Sequence, residues 1–180
     1  MVDVPLQWHR LDWNPDETWR RHTLPKLAAA GIAEGDLVRS VYVLRLNGNF
    51  CIRYPKRESP TLYIGEGRFN QRIAAHRSWV TELRELVGEF SFQVCVALPR
   101  VKNNPIAYRD CEAALIDRFA QHFGSAPLWN KQFETRLFNH HYSQRQMDQA
   151  LCKRSGARYK WAVEPMKSSG FYETFKRTHV

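Results

Sequence analysis

Residues 61–79 read TLYIGEGRFNQRIAAHRSW, and this stretch decides the fold. Leu62 to Gly65 is short, apolar and β-branched at Ile64, which describes a strand. Gly-Glu-Gly at 65–67 breaks it, and a helical pattern follows from about Phe69 to Trp79, with a second helix over 81–87. Phe69, Ile73, His76 and Val80 fall at i, i+4, i+7 and i+11 and share one face. Arg72 stands four residues before His76 and borders that face, so the strand–turn–helix unit holds an arginine and a histidine at the rim of its buried surface.

Upstream, LVRSVYVLRL (37–46) is a strand, and Asn47-Gly48-Asn49 predicts a hairpin into FCIRY (50–54). Downstream, EFSFQVCVAL (89–98) is a further strand. Asn104-Pro105 opens a long helix that Gly124 should stop near Phe123. SAPLWNKQ (125–132) is a structured loop, a helix is expected over about 143–154, and YKWAV (159–163) is strand-like. In the first 37 residues, Asn14 and Pro15 suggest a helix start, Pro25 a division and Gly31 a stop. Trp8 and Trp13 are expected to pack on the main body. The whole is α/β or α+β: a small mixed three-stranded sheet flanked by helices, with an N-terminal arm (1–37), a core (38–132) and a basic C-terminal extension (133–180).

The chain has 180 residues, enough for one domain with a proper core, and a formal charge of +9. From Lys131 onward ten Lys/Arg face four Asp/Glu, so the last 50 residues carry +6. KRSGARYKW (153–161) interleaves those cations with aromatics, a composition that suits either a polyanionic partner or a solvated basic surface. Cys51, Cys95, Cys111 and Cys152 are scattered without paired spacing and read as reduced thiols, Cys95 and Cys111 buried. No apolar run is long enough to span a membrane and the first residues lack a signal-peptide pattern, so a cytoplasmic protein is expected.

Chemistry-bearing residues stand out on these elements. On the long helix Cys111, Leu115, Phe119 and Phe123 form the buried stripe. Glu112, among Tyr108, Leu115 and Ile116, is the acid that points to the interior edge, whereas Asp110, Asp117 and Gln121 fall on a wetter face. A buried carboxylate needs a compensating cation or metal. Each residue also has a plain reading: Arg72 as a surface ion pair, His76 as an interface histidine, Glu112 as a salt-bridge partner of Arg72, Asn130 as turn chemistry. The adjacent His140 and His141 lack nearby partner ligands for a metal.

Taken together, the arrangement resembles the GIY-YIG nuclease family over about residues 38–132. The first signature tripeptide corresponds to Ser40-Val41-Tyr42 and the second is intact as Tyr63-Ile64-Gly65. The family's helical arginine and histidine match Arg72 and His76, its glutamate matches Glu112 in EAALI, and its asparagine matches Asn130 in LWNKQ. The first tripeptide has lost its Gly and Ile, the interval between the tyrosines is extended by NGNFCIRYPKRESP, and Arg72 lies one residue closer to Tyr63 than in many members. None of these departures removes a chemical group.

The resemblance implies a phosphodiester hydrolase using one divalent cation, Mg²⁺ with Mn²⁺ able to substitute, held by Glu112. It implies that Arg72 neutralises charge on the phosphoryl oxygens, that Tyr42, in preference to Tyr63, helps deprotonate the attacking water with His76 assisting, and that Asn130 braces the site. Nearby cations would have to lower a tyrosine's pKa for it to serve as base. Gly65 and Gly67 would let backbone turn close beside phosphate, and Arg68, Lys131, Lys153, Arg154, Arg158 and Lys160 would contact nucleic acid. The expected function is sequence-specific cleavage of duplex DNA of restriction or phage-defence type, by a dimer or higher oligomer. The alternatives are a single-strand, branched-DNA or RNA nuclease, and a nucleic-acid-binding module without turnover.

Overall fold

The computed structural model describes residues 2–48, 50–87, 91–152, 161–164, 167–168 and 172–173. In chain order the elements are β1 (Val2–Asp3), β2 (His9–Trp13), a π-wound turn Trp19–Thr23 entering α1 (Leu24–Ala29), a 3-10 turn Glu34–Arg39 and β3 (Ser40–Asn47). Next come β4 (Phe50–Arg53), β5 (Glu58–Ser59), β6 (Thr61–Gly67), α2 (Phe69–Ala75), α3 (Arg77–Val87), β7 (Ser91–Ala97) and α4 (Ala107–Phe123). β8 (His140–His141), α5 (Gln144–Leu151) and β9 (Trp161–Val163) complete the α+β chain. Among the described residues no helix is long and apolar enough to cross a membrane.

The central sheet has four antiparallel strands in the order β2-β7-β3-β6. The three-stranded sheet expected for the core is thus extended by β2, which the N-terminal arm contributes. Trp13, on β2, is buried against Phe92 with ring centroids 6.4 Å apart. β3 is buried from Ser40 to Leu46, which requires cover on both faces. α2 and α4 both pack against β3 and β6.

The hairpin expected at Asn47-Gly48-Asn49 does not form a ladder. β3 is paired on both edges, to β6 and to β7, so no edge is left for the strand that follows. β4 instead enters a mixed three-stranded sheet, antiparallel to β5 and parallel to β9. Other stop signals act as expected: Gly31 and Gly124 take φ of 78° and 88° at the ends of α1 and α4. Asn14 makes an Asx turn, its Oδ1 accepting from the Asp16 amide at 3.0 Å, and helical structure begins only at Trp19. Pro25 sits in the first turn of α1. The helix read over Phe69 to Trp79 divides at His76, so α3 starts at Arg77.

The C-terminal extension joins the core through α5. The last carbonyls of a helix have no partner within it, and here the sheet supplies them. Arg45, buried on β3, donates from Nη1 to Ala150 at 3.0 Å and Cys152 at 3.2 Å. Ser59 and Thr61 donate their hydroxyls to Leu151 at 2.9 and 3.0 Å.

Asp110 departs most from its sequence reading. Far from a wet face, it is 0% exposed. Its carboxylate accepts from Arg136 Nε and Nη2 at 3.0 and 3.1 Å, from the Leu137 and Phe138 amides at 3.0 Å, and from the Tyr142 hydroxyl at 3.0 Å. Periodicity alone could not foresee this, because the partners lie 26 to 32 residues away. Burial works to raise the Asp110 pKa; the Arg136, Phe138 and Tyr142 hydrogen bonds outweigh it, and the net shift is downward. Asp110→Asn should therefore lose roughly 3 kcal/mol in urea unfolding at neutral pH. Because the native pKa is lowered, the stabilisation holds above the ordinary carboxylate range and fades as pH falls through the native value. The gap between wild type and variant should close in acid.

Candidate active site

The two tripeptides lie on adjacent antiparallel strands, with Tyr42 opposite Gly65 and Val43 opposite Ile64. Strand alternation sends Tyr63 and Gly65 to one face, shared with Tyr42, and Leu62, Ile64 and Glu66 to the other. The Tyr42 ring meets Phe69 of α2 edge-on at 5.2 Å, and Tyr63 lies 6.0 Å from Tyr42 between centroids. Both tyrosines occupy the space over Gly65. A Cβ there would come within 2.5 Å of Tyr63 Cε1 and 2.6 Å of Tyr42 Oη. Gly65 is thus required by two aromatic rings, a different reason from the phosphate approach expected of it. Gly67, at φ 91°, turns the chain from β6 into α2 and would admit a Cβ without contact. Where the family has glycine, the Ser40 hydroxyl lies 3.1 Å from the Leu37 carbonyl and 3.0 Å from that of Gly67.

His76 ends α2 and is buried beneath Tyr63, its ring 4.5 Å away. Its Nε2 is 2.8 Å from Tyr42 Oη, and its Nδ1 accepts from the Trp79 indole N–H at 3.1 Å. Burial, helped by Arg72, lowers the His76 pKa to about 4. The ring is therefore neutral at neutral pH. Trp79 stacks in turn on Trp129, with centroids 4.5 Å apart and planes 22° apart.

Asn130 grips the outer edge of β6. Its Oδ1 accepts from the Ile64 amide at 2.9 Å and its Nδ2 donates to the Ile64 carbonyl at 2.8 Å. The Trp129 amide donates to Leu62 at 3.0 Å. This clamp lies on the second tripeptide itself.

These parts surround a cavity of about 620 Å³ lined by Tyr63, Glu66, Arg72, Glu112, Asn130 and Lys131, among others. Tyr42 and His76 stand behind Tyr63, away from that lining. Arg72 donates from Nε to the Glu66 carbonyl at 3.3 Å. Arg68 is exposed at the N-terminus of α2. Lys153, Arg154, Arg158 and Lys160 lie outside the described residues.

Glu112 is 8% exposed. Among the described residues its carboxylate makes no hydrogen bond or ion pair, so the salt bridge to Arg72 is not formed. Burial first, then Glu66 and Glu134, raise its pKa to about 8, against the pull of Arg72 and Arg109. Glu66, Glu134 and Arg109 were not singled out in the sequence. Glu66 had a local signal, standing between Gly65 and Gly67, and so had Arg109, one helical turn before Glu112, whereas Glu134 reaches the cavity only through tertiary folding. No three His, Cys, Asp or Glu side chains among the described residues form a metal-binding group. Glu112 fits instead a cation that takes one protein carboxylate and completes its shell with water and substrate oxygens.

The tyrosines are shifted opposite to the lowering expected of a base. Burial, then Tyr63, holds Tyr42 well above the ordinary phenol value, and burial raises Tyr63 while Arg72 opposes it.

No family model matches this chain, and no curated protein or solved structure matches it.

Two outcomes test the geometry. Gly65→Ala should cost about 1–3 kcal/mol through displaced rings, read as a lower urea midpoint and altered tyrosine signal in near-UV circular dichroism. The raised pKa of Glu112 means that the metal-free native state holds a proton the unfolded chain releases. Wild-type stability relative to the neutral isostere Glu112→Gln is fully present below the ordinary carboxylate value and is lost as pH rises through about 8. Thermal melts across that range should show the decline, and added Mg²⁺ should reverse it in wild type only.

Proposed function

We propose that the chain is a cytoplasmic divalent-cation-dependent endonuclease of the GIY-YIG type, hydrolysing phosphodiester bonds in DNA. The observation that carries this reading is the unpaired, desolvated Glu112 carboxylate, facing the same cavity as Arg72, Tyr63 and Asn130. Tyr42 and His76 stand hydrogen-bonded behind them, which brings all six residues of the resemblance into one region. An arginine, a phenol and a carboxylate without a cation form a set suited to a phosphate that arrives with a metal ion.

Magnesium, with manganese able to substitute, would be held by Glu112 and would supply polarisation of the scissile phosphate and neutralisation of charge on the leaving oxygen. Arg72 is anchored through its Nε to the Glu66 carbonyl, and its remaining N–H groups can donate to phosphoryl oxygens. Lys131 and Arg109 add positive charge along the cavity. The Tyr63 hydroxyl meets a water at the cavity wall, and Oη is the atom that orients it or draws its proton. Asn130 holds Ile64, and so Tyr63, at fixed depth. Sequence-specific duplex cleavage, by a dimer or higher oligomer, is the finer reading; it draws on the basic composition of residues 133–180.

Supercoiled duplex plasmid and single-stranded circular DNA, each with Mg²⁺ or EDTA, form the direct test. Discrete Mg²⁺-dependent duplex fragments that disappear with Glu112→Ala are expected. Cleavage of the single strand alone would keep the chemistry and overturn the duplex substrate. Binding of both DNAs and an RNA, with none of them cut, would overturn the enzyme and favour the binding module.

A further inference from the structure

Three polar side chains form a hydrogen-bonded series across the interior, Trp79, His76 and Tyr42, and the Tyr63 ring packs beside its far end. Its direction follows from one donor. An indole N–H can only donate, so His76 Nδ1, 3.1 Å from Trp79 Nε1, must be the bare acceptor nitrogen. The proton of a neutral imidazole then sits on Nε2. That nitrogen lies 2.8 Å from Tyr42 Oη and donates to it. Tyr42 Oη thereby receives a hydrogen bond, and its own O–H must point away from His76; Tyr42 Oη and Tyr63 Cε1 crowd the same point over Gly65, so Tyr63 is the ring beside it. Both bonds in the series donate in one direction, from Trp79 toward Tyr42.

This direction excludes one role and creates another. A His76 whose Nε2 already carries hydrogen cannot take the proton of Tyr42. Donors pointing along the series leave the Tyr42 O–H as the donor at its far end, beside the Tyr63 ring. Tyr42 is 0% exposed and cannot meet a water in the cavity, whereas Tyr63 lines it.

We infer that Trp79 is a positioning residue: it fixes the Nε2–H tautomer of His76 and so aims the Tyr42 hydroxyl at Tyr63, the tyrosine that meets the attacking water. The catalytic part rests on the nuclease reading; the tautomer does not. Trp79 owes its own position to the Trp129 stack beside Asn130, so the clamp on β6 and the hydrogen-bond series share a support. Trp79→Phe keeps an aromatic ring there and removes the donor, together with part of the indole's area on Trp129.

Long-range ¹H–¹⁵N correlation spectra of the histidine side chains, on full-length protein without metal or DNA, decide the direction. The His76→Gln spectrum supplies the assignment. Wild-type His76 should show a protonated Nε2 and a bare Nδ1, and Trp79→Phe should populate the opposite tautomer. A protonated Nδ1 in wild type overturns the inference even if the variant fails to fold, as does a tautomer unmoved by Trp79→Phe. On cleaved DNA, Trp79→Phe should lower kcat by about 10- to 100-fold with KM unchanged. It should cost nothing further on a Tyr63→Phe background, since both changes would act through one oxygen. Additive losses would overturn Trp79's action through Tyr63. A wild type inert toward every nucleic acid overturns the nuclease reading, and the spectra still decide the tautomer.

Discussion

Tyr42 lies directly opposite Gly65 across the β3–β6 ladder, and a slip of one residue would send its ring through to the other face of the sheet. That register brings the Tyr42 hydroxyl to His76, lets Tyr63 share the gap that a side chain at residue 65 would fill, and sets both rings under α2. Packing and polar order then reinforce each other. Phe69 closes the apolar side of Tyr42, and the indole of Trp79 closes the polar series beyond His76. Because β3 is occupied on both edges, the register cannot relax by letting one partner slide without disturbing the other.

Arg72, Arg109 and Lys131 share the cavity with three carboxyl groups, those of Glu66, Glu112 and Glu134. A bare phosphate arriving there would meet carboxylates as well as guanidinium groups. Desolvation falls most heavily on Glu112, and its preference for a proton in the metal-free protein marks a place where an added cation is stabilising. Proton and cation thus compete for one carboxylate, and nucleic acid would bring further negative charge to the same balance.

The readable parts of the sequence were those governed by neighbours along the chain. Gly31 and Gly124 end their helices where a positive φ was expected. Phe69, Ile73, His76 and Val80 are all buried on the face that their spacing defined, although the helix divides at His76. Glu112 was legible as an inward acid for the same reason. What escaped was set by partners distant in sequence. Asp110 is buried because Arg136 and the 137–142 segment fold back onto it, and β4 leaves the central sheet because β7, some 40 residues later, has taken the edge of β3. Trp79 carried no motif; its role is visible only through the nitrogen it donates to. The cations of 153–160 lie outside the described residues.

The side-chain amide of Asn130 has a consequence beyond the site. β6 is an outer strand of the central sheet, and an outer strand with unpaired N–H and C=O groups invites a foreign strand to add to it. Asn130 satisfies both backbone groups of Ile64, and the Trp129 amide covers the carbonyl of Leu62, so this stretch of the rim is already spoken for. The opposite rim is β2, where Arg10 and Asp12 put exposed charge on the last strand. The contact that holds the second tripeptide in place also guards the sheet against misassembly at the edge nearest the candidate chemistry.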